Sequence, residues 1–235
     1  MNKLVKVLVE ILLAAASVAL VYAIYNSVMQ PVRFNKEKAV REAVAIQQLK
    51  DIRTLEVAYK GATGVFTASI DSLADFYENG KMAIIMQVGS ADDSAMVAHT
   101  DAVKKSFRGV KPAELNAKLY ELYQKGDKNL VFSIENKIPV KDTLFASRSG
   151  FDAASLKQIP FAAPGDTVIM DAIVKTVSGV QVPLFEAKIP YKKLLTGMDN
   201  QLRINLDAER RDMNKYEGLQ VGSITAPNNN AGNWE

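Results

Sequence analysis

The chain has 235 residues, of which 48% are hydrophobic and 23% charged, a balance typical of a globular protein. Its 29 Lys and Arg stand against 26 Asp and Glu, and both signs are dispersed along the chain. It therefore lacks the clustered basic surface that nucleic-acid binding requires. The absence of cysteine excludes disulfides, thiolate metal ligands and cysteine nucleophiles.

The chain opens with an apolar segment over residues 7–25, which is long enough to cross a bilayer. As a helix it spans roughly 28 Å, close to the ~30 Å thickness of a hydrocarbon core. We therefore predict a membrane anchor over residues 1–30, with membrane lipid as its partner. Glu10 must then lie near one interface, where it can pair with Lys6 on the same helical face.

A cleaved signal peptide is the alternative interpretation of this segment. Lys3 and Lys6 would form its basic region, and small residues around Ala23 suit a signal peptidase. The apolar residues continue past that point through Ile24 and Val28, which favours the anchor. Basic residues flank the segment on both sides, so their count does not favour an external domain.

The next segment has the pattern of an amphipathic helix. Residues 35–60 contain neither Gly nor Pro. Apolar residues recur there at spacings of three and four: Ala45, Leu49, Ile52, Leu55 and Tyr59. Gly61 and Gly64 follow and predict the end of the helix. Joined to the anchor, this helix would form a stalk over residues 31–64.

Residues 65–225 predict an α+β domain with an antiparallel sheet and short helices. The predicted helices are 69–77, capped by Ser69, 112–125, begun by Pro112, and 199–213, capped by Asp199. The predicted strands are 82–88, 130–134, 138–144, 167–177, 180–189 and 219–225. Residues 89–111 show no clear periodicity and predict no element.

Two details of the predicted sheet concern its turns and edges. Ser178-Gly179 separates two strands and predicts a hairpin with a two-residue loop. Pro183 cannot donate to a strand ladder, which predicts an edge or a bulge at that position.

The Asn-rich tail, residues 226–235, has too few apolar residues to pack independently. It carries the sole tryptophan, Trp234. We interpret Trp234 as part of a frayed, exposed end, with docking onto a partner or onto its own domain as the alternative.

The sequence lacks the usual supports of catalysis. It contains no G-x-S-x-G, no G-x-G-x-x-G and no phosphate-binding Gly-Lys-Ser/Thr loop. We interpret the only histidine, His99, as a surface residue, and Asp92-Asp93 as a solvated loop. Asp71 with Asp75 is the other local carboxylate pair. We therefore predict no catalytic, cofactor-binding or metal-ligating residues, no cofactor and no enzymatic activity; an active site would have to be assembled from distant residues.

Two basic pairs, Lys192-Lys193 and Arg210-Arg211, could meet anionic headgroups. Two charges fall short of the clusters that usually do so, and we interpret both pairs as solvated helix surface.

The first third of the chain resembles a type IV pilin or pseudopilin. The resemblance rests on VLVEILLAAASVAL, which contains Glu10, and on IQQLKDIRTLEVAYKGATGVFTASIDSLADF over residues 46–76. It implies that the helices pack together in an assembly and that Glu10 helps subunits register in the membrane. Val5 and Lys6 depart from the pattern, because that family has Gly before its processing site and an aromatic residue after it.

The chain also resembles a group of Bacteroidetes-type membrane-anchored proteins with no assigned activity. This resemblance rests on RFNKEK, LKDIRT, PVKDTLF, VPLFEAKIP and PNNNAGNWE. We expect a structural or assembly component of a bacterial envelope complex, single-pass in the inner membrane, with a periplasmic domain that binds protein partners or its own copies. The alternative is a periplasmic binding module released by signal cleavage.

Overall fold

The computed structural model describes residues 3–235, and the side chains of residues 6–112 and 114–235. A long N-terminal helix is followed by a domain with two small antiparallel sheets and short helices, as the α+β prediction required. The helices are α1 (Lys3–Thr63), α2 (Ile70–Asn79), α3 (Ser94–Lys105), α4 (Pro112–Gln124), α5 (Val140–Thr143), α6 (Tyr191–Leu194) and α7 (Asn200–Asp212), with a 3₁₀ turn at Ala153–Lys157. The strands are β1 (Lys81–Val88), β2 (Phe132–Pro139), β3 (Ile169–Val177), β4 (Val180–Pro190) and β5 (Gly218–Gly222).

The predicted anchor and stalk form one continuous helix, α1, with Pro31 in its interior. Gly61 lies within the helix, so the predicted stop at that residue is two residues early. The helix ends at Thr63, and Gly64 follows with a φ of 87°. That left-handed conformation is open to glycine and costly for other residues, which explains why the helix ends there.

The main core lies between the second half of α1 and the sheet ordered β3-β4-β5. Of the periodic apolar residues of α1 that the sequence predicted to form one face, all but Tyr59 are buried there, and Tyr59 is partly buried. The helix contributes Phe34, Ala45, Leu49, Ile52 and Leu55, and the sheet contributes Phe185, Ala187, Ile189, Leu219 and Val221. Burial of this stripe, rather than helix propensity, stabilises α1 in this region.

The predicted β3–β4 hairpin is present, and its loop has the conformation of a type I′ turn. Ser178 and Gly179 have φ angles of 51° and 82°, the combination that matches the twist of the two strands. Pro183 lies opposite Val174, beyond the part of β4 that pairs with β5. The edge position predicted from Pro183 is therefore confirmed.

The prediction of two strands over 130–134 and 138–144 is wrong. One strand, β2, covers Phe132–Pro139, and the residues after it form the short helix α5. The polar residues that suggested a break, Glu135 to Lys137, lie opposite Ile85 to Ala83 of β1. Antiparallel pairing with β1 holds them in the strand, while their side chains reach water.

The region without predicted structure contains α3. Asp93 caps this helix, because its carboxylate accepts hydrogen bonds from the backbone N–H groups of Ala95 and Met96 at 3.0 and 3.1 Å. Asp92 and Asp93 are both exposed in the loop before α3, as predicted, and the capping role of Asp93 is an addition to that prediction. Only Thr100 is buried in α3, so the helix has no apolar stripe that periodicity could detect.

The other predicted caps are present. Ser69 accepts from the N–H of Ser72 at 3.2 Å, and Asp199 accepts from the N–H of Leu202 at 2.8 Å. Pro112 begins α4. The last strand, β5, ends at Gly222 rather than at residue 225.

The tail is packed onto the domain, and the prediction of a frayed end is wrong. Gly232 forms an antiparallel bridge with Val221, and the N–H of Asn233 donates to the carbonyl of Gln220 at 2.9 Å. Trp234 is half-buried against the main core. A Cβ on Gly232 would lie 2.4 Å from the Trp234 ring, so glycine is needed for the ring to lie there. Backbone hydrogen bonds with β5 hold the tail in place, although it has few apolar residues.

Candidate membrane anchor and its junction with the domain

The first half of α1 presents apolar side chains on every face. Leu12, Val18 and Val21 are 69%, 70% and 67% exposed, and the remaining large apolar side chains between residues 7 and 28 are exposed as well. No part of the described chain covers them. Soluble proteins rarely expose so long an apolar surface, so another medium or chain must cover this one.

Among the described residues, one helix is long and apolar enough to cross a membrane, and it lies near the N-terminus. This length and composition fit a single-pass membrane anchor or a signal sequence. Ser17 is compatible with a lipid environment, because its hydroxyl donates to the carbonyl of Leu13 at 2.9 Å. Lys6 and Glu10 are both exposed, and the structure does not join them in the predicted salt bridge.

The domain first contacts α1 immediately after the apolar segment. The side-chain amide of Gln30 donates to the carboxylate of Asp199 at 2.5 Å, and Phe34 is buried one turn later. Asp199 also caps α7, and the hydrogen bond from the Leu202 N–H holds its pKa below the usual range. The junction is therefore a direct contact between the helix and the segment that precedes α7.

Arg41 fastens this segment to α1 two turns further along. Its guanidinium donates to the carbonyls of Leu194 and Thr196 at 3.1 and 2.9 Å and pairs with Glu37 at 3.0 Å. It also lies 5.2 Å from the centre of the Phe161 ring. Four contacts on one guanidinium fix the height of the domain on the helix.

Further polar residues of α1 each hold a different segment of the domain. Gln48 donates to the carbonyls of Leu156 and Gln158 at 2.8 Å. Arg53 pairs with Glu235 of the tail at 2.7 Å. Because these contacts are spread along the helix, the domain and the second half of α1 form one packed unit.

Glu56 is a fully buried acid on α1. It accepts a hydrogen bond from the N–H of Thr67 at 3.1 Å, and its other oxygen has no partner. Burial raises the pKa of Glu56 to about 8, so the carboxyl is mostly uncharged at neutral pH. It closes the turn between α1 and α2.

The face of α1 turned away from the sheet carries a second exposed apolar surface. Its exposed members, which recur at helical spacing, are Val40, Ala43, Val44, Thr54, Val57 and Gly61. We call this set the outer stripe. Val40, Val44 and Val57 are 58%, 45% and 50% exposed, so neither the sheet nor the tail covers them. Exposed Gln47 and Lys50 interrupt the outer stripe, and Arg33 and Lys36 separate it from the apolar surface of the anchor.

The residues that the sequence singled out for chemistry remain apart from one another. His99 is exposed, as predicted, but its Nε2 lies 2.8 Å from the carboxylate of Asp127, an acid that sequence spacing did not reveal. That hydrogen bond lowers the pKa of Asp127. Asp71 pairs with Lys157 at 2.7 Å, and Asp75 accepts from the amide of Asn79 at 2.8 Å.

One of the two predicted solvated basic pairs is partly buried. Arg210 lies over the ring of Tyr191, 5.5 Å from its centre, and donates to the carbonyl of Gly218 at 3.0 Å. The interpretation of Arg210 as solvated surface is corrected, because it joins α7 to β5. Arg211 pairs with Glu217 and Lys193 with Asp166, whereas Lys192 is exposed.

In the part of the chain that the structure describes, no three His, Asp or Glu side chains come close enough to hold a metal ion.

No protein-family model, no curated protein and no solved structure matches this chain.

Proposed function

We propose that the protein is a membrane-anchored structural component of a bacterial envelope complex that acts through protein contacts along α1, in the manner of a pseudopilin. One observation carries the proposal. A single helix is apolar and exposed through its first half and forms the spine of a folded domain through its second half. The apolar half suits a lipid environment. The outer stripe offers a contact surface for the helices of neighbouring proteins that are anchored in the same membrane.

The proposal places the anchor in the inner membrane, once across, with the domain in the periplasm. The resemblance to pseudopilins supports this orientation. Helices anchored side by side are already parallel and confined to two dimensions, which raises their effective concentration for lateral contact. The outer stripe lies on the helix close above the junction, where two such neighbours would meet.

Site-specific crosslinking in native membranes tests the proposal. Because the sequence has no cysteine, each cysteine variant carries a single thiol. Val44→Cys places one thiol in the outer stripe, and Ala98→Cys places one on the exposed surface of α3 as a matched control. With a short bismaleimide, we expect covalent adducts of Val44→Cys with a second copy or another membrane protein. Equal adduct yields from the two variants would contradict the proposed contact surface.

Membrane attachment is tested separately by alkaline carbonate extraction. We expect the full-length protein to stay in the pellet with its N-terminus intact. Recovery of the full-length protein in the soluble fraction would contradict the anchored form.

A released periplasmic binding module is the second candidate, and one observation favours it. The first side-chain hydrogen bond between the domain and the described part of α1 is made by Gln30, beyond the predicted cleavage region around Ala23. Removal of the residues before Ile24 would therefore leave the contacts of the domain intact. N-terminal sequencing of the mature protein distinguishes the two candidates, because a start near residue 24 supports release.

A further inference from the structure

A polar cleft lies where the domain meets the anchor. It has a volume of about 520 Å³ and is bounded by α1 on one side and the segment before α7 on the other. Its lining includes Asn26, Arg33, Glu37, Arg41 and Asp199. We call it the junction cleft.

The cleft lies at the depth of the lipid headgroups if residues 7–25 cross the hydrocarbon core. Headgroup layers extend about 5–7 Å beyond that core on each side. Residues 26–30, at 1.5 Å per residue, rise through roughly that distance. Asn26 therefore stands at the start of the headgroup layer. The Cα of Arg33 lies about 10 Å above it, beyond that layer, but a helical side chain tilts toward the N-terminus, so the long arginine side chain can extend back to the phosphates.

The charges of the cleft are unequally satisfied. Arg41 pairs with Glu37, and the carboxylate of Asp199 accepts from Gln30 and from the N–H of Leu202. Arg33 is exposed and makes no salt bridge or side-chain hydrogen bond with any residue that the structure describes. The cleft thus offers one guanidinium without a described partner, while Asp199, whose donors are neutral, keeps its negative charge on the opposite wall.

A free guanidinium at this depth is suited to a phosphodiester. Its planar donors match two phosphate oxygens, and the pairing is charge-assisted. Asn26 can add an amide donor from the membrane side. The acyl chains of the same molecule would lie along the apolar surface of α1 below. One lipid molecule would therefore contact both the cleft and the anchor.

We propose that the junction cleft binds the phosphodiester headgroup of a membrane phospholipid through Arg33. The inference deepens the proposed function, because it rests on the anchored form. It assigns the cleft a part in setting the height of the domain above the bilayer, in addition to the contact between Gln30 and Asp199.

Thermal unfolding of the purified, delipidated full-length protein in a neutral detergent tests this proposal. We expect phosphatidylglycerol to raise the melting temperature by about 2–4 °C, as about 1 kcal/mol of linked binding would for a chain of this size. Diacylglycerol with the same acyl chains lacks the phosphate and should give no shift. Inorganic phosphate lacks the acyl chains and should give none either.

Two variants separate the site from general charge effects. Arg33→Gln should abolish the shift, while Arg108→Gln, which changes an exposed arginine outside the cleft, should retain it. An equal shift from diacylglycerol, an equal shift from inorganic phosphate, or a full shift in Arg33→Gln would each overturn the proposal. Carbonate extraction of the same wild-type protein shows independently whether the anchor holds, so a failed headgroup site and a failed anchor give different results.

Discussion

Asp51 on α1 and Arg148, 97 residues later, form a two-pronged ion pair with oxygen–nitrogen distances of 2.7 and 2.8 Å. Asp51 is buried, whereas the side chain of Arg148 is 42% exposed and lies over the rings of Phe145 and Phe151. The pair fastens the loop after α5 to the helix. The hydrogen bond to Asp51 raises the pKa of Arg148, so the guanidinium stays charged throughout the accessible pH range.

Loss of Arg148 should destabilise the domain, because it leaves the carboxylate of Asp51 buried with only Gln47 as a donor. We expect Arg148→Ala to lower the free energy of unfolding by about 2 kcal/mol, at the low end for a broken pair because the arginine is partly solvated. Urea denaturation in detergent, followed by circular dichroism, measures the loss. Arg108→Ala is the control for removal of an exposed arginine and should change stability by less than about 0.5 kcal/mol.

Burial of Glu56 should make the protein less stable as pH rises. Its pKa is about 8 in the folded protein and 4.5 without burial, so the folded state holds more protons than the unfolded state between those values. The free energy of unfolding should then fall by about 1.4 kcal/mol per pH unit between pH 5 and 7.5. The stabilising effect is fully present below pH 4.5, declines between pH 4.5 and 8, and is gone above pH 8.

Glu56→Gln should remove most of this dependence, because the amide does not ionise. Urea denaturation of both proteins at several pH values measures the two slopes. If the free energy of unfolding changes equally with pH in the two proteins, the carboxyl of Glu56 is not held uncharged in the folded state.

Trp234 is the only tryptophan and should report the docking of the tail. Because its ring packs against the main core, we expect folded protein to emit at a shorter wavelength than the protein in urea. Trp234→Ala should cost about 2 kcal/mol through lost apolar burial, whereas Trp234→Phe should keep most of the stability. Folded protein that already emits like the unfolded chain would contradict the docked tail.

Residue changes at the β3–β4 turn should separate backbone strain from steric contact. A Cβ on Gly179 would meet nothing within 4 Å, yet the φ of 82° disfavours any L side chain. Gly179→Ala should therefore cost about 1–2 kcal/mol through the backbone alone. Ser178→Asn, which places a residue favoured at φ near 50°, should leave stability unchanged or raise it. Thermal unfolding of both variants provides the comparison.

The elements predicted correctly are those with a strong local signal. The stripe from Ala45 to Leu55 predicted the buried face of α1, and Ser178-Gly179 predicted the tight hairpin. Local pattern was misleading where tertiary contacts decide the structure. Pairing with β1 carries β2 through Glu135 to Lys137, and bridging to β5 holds a tail that has little apolar content of its own.

The junction cleft was beyond prediction for the same reason. Asn26 and Arg33 stand near each other in sequence, but the opposite wall comes from Asp199, more than 160 residues away. No local motif marks such a meeting. The contact of His99 with Asp127 likewise joins residues 28 positions apart through packing of separate elements.

One continuous helix contains both the apolar segment and the residues that pack in the core, so no flexible linker separates them. A pull along the axis of α1 would reach the sheet directly, through interlocked side chains and the ties of Arg41, Gln48 and Asp51. Tension is then shared among several segments of the fold instead of being concentrated at a flexible joint. We therefore expect a displacement of the apolar segment along this axis to move the domain with it.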